Sequence, residues 1–505
     1  MKIIDNFLDR ITMYRLVLYG LTGLIIIAIL FAFLGILPYS PGGIIFSASF
    51  ILFISLITNG VFSKVFEAPT GVESVYISAL ILTLIVSPFR STQDLPLLFW
   101  APVLAMASKY IVAINRKHLF NPVAIALVLT ALWLRFPANW WVGTTVMMPF
   151  VVLLGILIVR KIRHEDLVVS FLFAAFLTEW FFTLLHGGSV VSDSTILLFH
   201  SSLLFFAFIM LTEPFTTPPT RGLRIFYGGI TGFLFSPHIH LGSLYSTPEL
   251  ALVIGNLFSY LVSPKMKLYL HPQEIIHYGS DSIDFVFAPI TGRIDFAPGQ
   301  YMEWTLPHED TDSRGNRRYF TIASSPTEDS VHLGIKFYQQ GSSFKKALLA
   351  MNGKSTIVAG NLAGDFTLPK EVKTKLVFIA GGIGITPFRS MIKYCIDKHE
   401  ERPIILLYAN KVVSEIAYQN IFEQAKKIGI KTVYTLTDVH AVPKDWEGKT
   451  GRISADMIKE VVPDFMERIF YLSGPHPMVT GYEETLRGMG VPASHIRADF
   501  FPGYV

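Results

Sequence analysis

The sequence predicts an α-helical membrane bundle of about ten spans over residues 1–264, followed by an antiparallel β-barrel domain over residues 265–370 and an α/β domain over residues 371–505. Three observations lead to this fold class. Half of the 505 residues are hydrophobic and only 16% are charged, whereas a soluble protein of this size is nearer to one quarter charged. The apolar excess lies before about residue 264. After that point, short strands broken by turns precede alternating strands and helices.

Ten apolar segments in the first half have about the length that spans a bilayer. Most lysines and arginines between them lie in alternate loops, and the loops on the opposite side carry only Arg90 and Arg135. Because positively charged loops stay in the cytoplasm, we expect an integral, multi-pass protein of the cytoplasmic membrane, in contact with the lipid bilayer, with both termini cytoplasmic. An even number of spans agrees with this orientation. The segments are 15–37, 43–63, 72–88, 95–114, 120–135, 144–159, 166–185, 194–212, 222–237 and 246–263.

Three motifs follow one another after residue 264. The first, Arg318–Pro326, is a β-rich run in which an arginine able to hold a phosphate precedes aromatic and hydroxyl side chains. Taken alone, it would be an ordinary edge strand with an exposed arginine. The second, Leu376–Pro387, is an apolar strand that enters a glycine-rich turn before a helix, where glycines let the backbone approach a pyrophosphate. The third, Ile469–Val479, repeats the pattern of a strand followed by a turn.

In this order, the motifs resemble those of the ferredoxin–NADP reductase superfamily. The resemblance implies an FAD-binding β-barrel domain over residues 265–370 and an NAD(P)-binding α/β domain over residues 371–505, with NADH or NADPH as the second cofactor. It implies that Arg318 binds the flavin phosphate, that Phe320 stacks on the isoalloxazine ring and that Thr321 forms a hydrogen bond near N5. Thr321 and Ser473, the latter near the nicotinamide, are the implied catalytic residues.

The same resemblance implies a wider set of cofactor contacts. Ser343 binds the pyrophosphate, and the aromatic C-terminal tail covers the flavin and nicotinamide with Phe500 or Phe501. Lys411 is a candidate partner for a 2′-phosphate, and the choice between NADH and NADPH stays open. The implied cofactor-binding residues are Arg318, Tyr319, Phe320, Thr321, Ser324, Gly341, Ser342, Ser343, Gly381, Gly382, Gly384, Thr386, Pro387, Gly474, Pro475 and Phe501.

The membrane half carries two polar motifs of its own. Asn121-Pro122 begins the fifth apolar segment, and Glu213–Thr220 is a loop rich in proline and threonine after the eighth. With ten spans, these features resemble the RnfD/NqrB family of membrane subunits, whose members carry FMN on the threonine of a Ser-Gly-Ala-Thr motif. This chain lacks that motif, and its nearest string is Val142–Thr145. The resemblance therefore leaves room for a non-covalent FMN in the membrane half, with Thr145 as a candidate contact.

The two halves together predict a membrane-bound flavoprotein oxidoreductase that passes electrons from NAD(P)H through FAD to an acceptor in or across the membrane. The acceptor is a quinone, a membrane flavin or an electron-transfer partner protein. The single cysteine, Cys395, excludes an iron–sulfur cluster held by four cysteines and a cysteine-rich zinc site. Neither a metal ion nor a nucleic acid is expected as a ligand.

Two alternatives stay open. A ferric or heme-type transmembrane reductase needs histidine pairs on two facing helices. His186 and His200 have a suitable spacing, but the glycines and polar residues between them predict that they lie on different elements, and His238 and His240 fall in a loop. The second alternative is redox-driven ion transport, for which Glu179 is the candidate residue because an acid inside a membrane span is usually functional.

Overall fold

The structure, a computed structural model, divides into two compact units, Met1–Ser263 and Pro264–Tyr504. The described residues are 8, 11–66, 72–114, 117–264, 267–290, 295–309, 311–312, 315–337, 341–353 and 355–499.

The described part of the N-terminal unit is mainly helical, and side-chain caps explain where several helices begin. Thr12 and Ser40 each accept a backbone N–H from the first turn of the helix that follows, and the side chain of Asn121 accepts two. Apolar side chains from these helices form one buried cluster. The helices are α1 Met13–Phe33, α2 Pro41–Val65, α3 Val72–Ile85, α4 Leu95–Ile111, α5 Pro122–Leu129, α6 Met148–Ile162, α7 Glu165–Leu185, α8 Val190–Phe199, α9 Leu203–Met210, α10 Arg221–Leu234 and α11 Pro248–Val262.

The number of membrane-length helices differs from the predicted ten spans. Within the described residues, α1, α2 and α7 are long and apolar enough to cross a membrane, and α8 with α9, bent by 58°, adds a fourth if the pair is one span. Apolar composition overstated the count because it does not reveal where a helix ends. For example, α5 gives way after Leu129 to a π-helical turn, which ends at Arg135 in the left-handed conformation.

The C-terminal unit begins with a six-stranded antiparallel sheet that surrounds its own core. Alternation explains its strands: in the second, Ile283, Phe285 and Phe287 are buried in that core, as expected for a period of two. The strands are β1 Leu268–Tyr278, β2 Ser282–Pro289, β3 Tyr301–Thr305, β4 Arg317–Thr321, β5 Val331–Lys336 and β6 Ile357–Ala363, in the order β4-β3-β6-β1-β2-β5, and helix α12 Ser343–Leu349 precedes β6.

The second part of this unit is a parallel sheet flanked by helices. Its central strand is buried along its whole length, as expected for a strand covered on both faces. From the central strand the chain first adds three strands on one side and then returns to add two on the other, so the strand order reverses at the central strand. In sheets of this kind the nucleotide-binding crevice lies at that point, outside the carboxyl ends of the strands. The elements are β7 Leu376–Gly381, α13 Thr386–Lys398, β8 Ile404–Asn410, α14 Gln419–Ala425, β9 Lys431–Leu436, β10 Lys449–Thr450, α15 Ala455–Val461, β11 Ile469–Ser473, α16 His476–Gly488 and β12 Ile496–Ala498, with strand order β10-β9-β8-β7-β11-β12.

Candidate cofactor site

The pairing of β4 with β3 decides which side chains of the first motif face outward. Directly opposite residues of an antiparallel pair share one face of the sheet. Arg318 lies opposite Trp304 and Phe320 lies opposite Met302, and both of these partners are buried in the barrel core. Both motif side chains also lie against Phe344, whose ring centre is 5.9 Å from that of Phe320. Because these two side chains pack towards the barrel core, the opposite face of β4 is the candidate for contact with a flavin ring.

That outward face presents aromatic, hydroxyl and charged groups. It consists of Tyr319 and Thr321 on β4, with Glu303 and Tyr301 opposite them on β3. Tyr319 Oη donates a hydrogen bond of 2.9 Å to Glu303 Oε2, and the rings of Tyr301 and Tyr319 are perpendicular with centres 5.8 Å apart. Arg317 Nη1 lies 3.6 Å from Glu303 Oε1. The side chains are therefore held in place before any ligand binds.

This arrangement changes the expectation for Phe320. Its half-buried ring packs towards the core, so the structure favours the neighbouring Tyr319 as the side chain that meets a flavin ring. Thr321 also lies on the outward face, opposite Tyr301, and its hydrogen bond near the flavin N5 stays a prediction. Sequence reasoning did not assign Tyr301 or Glu303 to the site, although polar and apolar residue types alternate along β3.

Arg318 reaches the loop before β4 with its guanidinium, which is only 4% exposed. Its Nη1 donates to the carbonyl oxygens of Gly315 and Arg317, at 3.0 and 2.6 Å, and its Nη2 lies 3.5 Å from Asp312 Oδ1. The backbone N–H of Ser343 donates to the other oxygen of Asp312, at 3.0 Å. A carboxylate thus lies where the arginine and a backbone N–H converge, an arrangement that also suits a phosphate.

The residues around the start of α12 support this convergence. Ser342 caps the helix by accepting the N–H of Lys345, and Gly341 precedes it. Ser343 Oγ accepts the N–H of Asp312 at 2.9 Å and lies 3.0 Å from His308 Nε2. The predicted phosphate contacts Arg318, Ser342 and Ser343 are therefore close together in the structure.

Ser324 lies elsewhere, in the junction between the barrel and α13. It is almost fully buried. Its Oγ accepts the N–H of His332 at 3.2 Å, and its carbonyl oxygen accepts a 2.6 Å hydrogen bond from Ser390 Oγ. These contacts assign Ser324 to the packing of the two subdomains, and a direct flavin contact stays a prediction.

The second and third motifs meet at the carboxyl ends of β7 and β11. A Cβ added to Gly384 would lie 2.5 Å from Gly474 Cα and 2.6 Å from Ser473 O, so no other residue fits there without a shift. A Cβ on Gly381 would meet only the flexible end of the Met478 side chain at less than 3 Å, and a Cβ on Gly382 would meet nothing within 4 Å. Gly382 instead has a φ of 53°, a conformation that glycine adopts without strain. This bare backbone suits the close approach of a pyrophosphate.

The remaining predicted residues of this crevice stand at helix starts. Thr386 and Pro387 are the first two residues of α13, and both are buried. Pro475 directly precedes α16, where proline is compatible with a helix start. The crevice is thus formed where two helices begin, at the position where parallel sheets bind nucleotides.

Ser473, the last residue of β11, donates a 3.2 Å hydrogen bond from Oγ to Asp499 Oδ2. Burial raises the pKa of the Asp499 carboxyl to about 7, and the hydrogen bond from Ser473 opposes part of this rise. Sequence reasoning missed Asp499, because no motif marks it. The predicted contact of Phe501, and the alternative Phe500, lie outside the described residues.

The two polar motifs of the N-terminal unit meet each other. Asn121 Nδ2 donates a 2.8 Å hydrogen bond to Glu213 Oε2, and His118 Nε2 lies 3.2 Å from the other carboxylate oxygen. The backbone N–H of Asn121 donates to Asn256 Oδ1 at 2.7 Å, and Asn256 in turn donates to Tyr227 Oη at 2.9 Å. This network joins α5, α10 and α11 to the loop after α9.

The other polar residues that were singled out lie in two further places. Thr145 Oγ1 donates to Phe199 O at 3.0 Å and lies 3.3 Å from His200 Nδ1. His238 Nε2 lies 3.6 Å from Glu179 Oε1, and its ring is 5.8 Å from that of His186. His186 and His200 follow different helices, α7 and α8. Among the described residues, no group of three or more His, Cys, Asp or Glu side chains is arranged to hold a metal ion.

Residues 378–484 match the family model of the oxidoreductase NAD-binding domain. The chain is 26% identical over 241 residues to the ferredoxin reductase component of 3-ketosteroid-9-alpha-monooxygenase from Mycolicibacterium smegmatis, covering 46% of this chain and 65% of that protein. It is 27% identical over 210 residues to the glycine betaine monooxygenase reductase subunit of Pseudomonas aeruginosa, covering 41% and 56%. It thus spans less than two thirds of each of these relatives.

Among solved structures, the cytochrome b5 reductase domain of Ulva prolifera nitrate reductase is similar, with a TM-score of 0.41 and 22% identity over 47% of this chain and 98% of that one. The family match identifies the α/β domain as the nicotinamide-nucleotide-binding part of an oxidoreductase. The C-terminal unit thus contains an oxidoreductase NAD-binding domain and is similar to proteins named as the reductase components of two monooxygenases.

Proposed function

We propose that the whole protein is a membrane-bound flavoprotein oxidoreductase that takes electrons from NAD(P)H through FAD to an acceptor in or across the membrane. The observation that carries this proposal is the crevice between Gly384 and Gly474, where a Cβ added to Gly384 would collide with the backbone of Gly474. It lies at the switch point of the parallel sheet, in the same compact unit as the outward aromatic face of β4.

Different residues are proposed to bind the two cofactors. Arg318, Ser342 and Ser343 would hold the phosphates of FAD, and Tyr319 and Thr321 would face its ring. The glycines at the ends of β7 and β11 would receive the pyrophosphate of the nicotinamide nucleotide. FAD, when bound, supplies the chemistry of accepting a hydride and releasing electrons singly. The protein itself contributes position, hydrogen bonds and exclusion of water.

The proposed acceptor follows from the proteins that accompany the related reductases and from the N-terminal unit of this chain. The relatives are, by name, the reductase parts of monooxygenases, so a unit of this kind delivers electrons to a further component. Here the N-terminal unit belongs to the same chain. We propose that it is an RnfD/NqrB-like domain that leads to a quinone, to a non-covalent FMN near Thr145, or to a partner protein. Support comes from the contact between Asn121 and Glu213, which joins the two motifs of that resemblance.

The membrane location is proposed on two grounds. Three helices in the described residues have the length and composition of membrane spans, and the bent pair α8 and α9 adds a fourth if the pair is one span. The lysine and arginine asymmetry of the loops supports cytoplasmic termini in the cytoplasmic membrane. A cytoplasmic C-terminal unit would have direct access to NAD(P)H.

The testing experiment is an absorption spectrum of the detergent-purified full chain, with acid extraction and counting of flavin per chain. The sample comes from membranes washed at alkaline pH, so that recovery in the washed pellet tests integral insertion. One FAD per chain, reduced by NADH or NADPH, supports the proposal, and a second flavin supports an electron path through the N-terminal unit. A chain without flavin contradicts the proposal, and a heme absorption band would promote the heme-type reductase in its place.

A further inference from the structure

The junction between the barrel and α13 contains a buried, two-pronged ion pair. Arg389 on α13 is 3% exposed. Its Nη2 donates a 2.8 Å hydrogen bond to Glu328 Oε1, and its Nη1 pairs with Glu328 Oε2. Nη1 also donates to the carbonyl oxygen of Ala323 at 3.1 Å. One guanidinium thus holds both a side chain and the backbone of the barrel loop after β4.

Two further hydrogen bonds cross the same junction. Ser390 Oγ donates to Ser324 O at 2.6 Å, and Thr327 Oγ1 donates to Asp397 Oδ2 at 2.5 Å. The carboxylate of Glu328 is oriented from its own side, because it accepts the N–H of Ser325 at 2.6 Å. The contacts therefore form one connected patch between the barrel segment 323–328 and α13.

The two sides of the patch continue directly into the two cofactor-binding elements. The segment 323–328 begins two residues after Thr321, the end of the strand that faces the flavin. Helix α13 begins at the residue after the Gly382–Ile385 turn. Any rotation of α13 against the segment would therefore move the nucleotide turn relative to the flavin strand.

Stability alone gives a poor reason for an ion pair at this place. Burying two charges has a desolvation cost that roughly cancels their attraction, and apolar replacements of similar volume are often neutral or stabilising. What a bidentate arginine–carboxylate pair supplies is a fixed distance and angle. Hydride transfer depends on such geometry, because the reacting atoms must be held about 3–3.5 Å apart and a 1 Å displacement costs roughly a hundredfold in rate.

We propose that Arg389 and Glu328 are positioning residues that lock the nucleotide-binding helix to the flavin-binding strand at the distance required for hydride transfer. The proposal rests on the proposed function of the C-terminal unit. Neither residue touches a cofactor, and both act through the backbone of the segment 323–328 and the start of α13. Arginine is required in particular, because lysine offers one point of charge where the carboxylate takes two donors.

The test compares Arg389→Lys and Glu328→Gln with the wild-type full chain in detergent. Stopped-flow mixing with NADH and NADPH separates nucleotide affinity from the rate of flavin reduction. The expected result is a 10- to 100-fold slower reduction, with dissociation constants for FAD and nucleotide within about threefold of wild type and a weaker nicotinamide–flavin charge-transfer band. In flavin-stripped protein, amide hydrogen exchange should accelerate at residues 323–328 and 386–390.

Two comparisons make the result decisive. Lys375→Gln removes the ion pairs of an exposed lysine with Glu467 and Asp464, outside the junction, and it should leave reduction unchanged. Ser390→Ala removes a single crossing hydrogen bond and should slow reduction two- to fivefold, so it decides the question if Arg389→Lys does not fold. Folded variants of Arg389 and Ser390 that reduce flavin at the wild-type rate would overturn the proposal. If wild-type protein itself binds no flavin, the proposed function fails instead.

Discussion

Replacing Tyr319 should weaken flavin binding much more than replacing Phe320, although the two residues are neighbours on one strand. The ring of Tyr319 stands on the outward face of β4, where Glu303 holds it by a 2.9 Å hydrogen bond. Phe320 lies opposite the buried Met302 and packs on the core. The same change to alanine therefore removes a ligand contact at one position and core packing at the other.

The magnitudes follow from these environments. Stacking of a flat aromatic base on a protein ring contributes about 1–3 kcal/mol, so Tyr319→Ala should raise the dissociation constant of FAD about fivefold to a hundredfold. The unfolding free energy should change by no more than about 1 kcal/mol, since the side chain is only partly buried. Phe320→Ala removes ring packing and should lower the unfolding free energy by about 2 kcal/mol or more, with FAD affinity within about threefold of wild type.

The assay is fluorescence titration of flavin-stripped protein with FAD, together with thermal unfolding of the same samples without flavin. Tyr319→Phe serves as a control for the ring, because it keeps the stacking surface and loses only the hydrogen bond to Glu303. The reasoning is refuted if Phe320→Ala loses FAD affinity while Tyr319→Ala keeps it, because the outward face of β4 would then be assigned to the wrong residues.

Three further outcomes are expected. Gly384→Ala should lower kcat/KM for the nicotinamide nucleotide at least tenfold, because its Cβ would lie 2.5 Å from Gly474 Cα. Gly481→Ala is the control, since its added Cβ would meet nothing within 4 Å, and it should leave kcat/KM unchanged. Steady-state kinetics with NADH and NADPH measures both variants, and equal effects would contradict the role of the crevice. The pKa of Asp499 in the folded protein, about 7, lies above its ordinary value of 3.8, so between these pH values the folded state keeps a proton that the unfolded chain loses. The unfolding free energy should therefore fall as pH rises from about 4 to 7. In thermal melts Asp499→Asn should flatten that fall, and an equal slope in both proteins would be the contrary result. Asn121→Ala removes a helix cap and the hydrogen bond to Glu213, so unfolding of the purified protein in mixed detergent should become easier by about 1–3 kcal/mol, and an unchanged midpoint would show that this network contributes little.

The sequence was sufficient for the parts of the site that depend on special backbone. The strand and glycine turn of β7, and the matching strand and turn at Gly474, are unusual enough to be recognised, and the structure brings them within a few ångströms of each other. Arg318 and Ser343 were predicted from their motifs as phosphate contacts, and the structure brings both of them to Asp312.

Features that depend on partners far away in the chain could not be predicted in this way. The faces of Tyr319 and Phe320 are set by the register of β4 with β3, which no local pattern in β4 reveals. The hydrogen bond between Ser473 and Asp499 forms only when β11 and β12 pair. The span count was overstated because an apolar segment does not indicate where a π-helical turn or a bend, such as the one between α8 and α9, interrupts its helix.

The strand order of the parallel sheet has a consequence for the biosynthesis of the protein. The central strand β7 lies between β8, which is translated soon after it, and β11, which is translated only after β8, β9 and β10. A nascent chain therefore carries one wall of the nucleotide crevice long before the ribosome delivers the other. Chains that stall before Gly474 would contain the N-terminal unit and the barrel but no closed nucleotide site. With the proposed function, such fragments would lack a complete nucleotide site and could not oxidise NAD(P)H. The order of synthesis would therefore keep unfinished chains inactive as oxidoreductases.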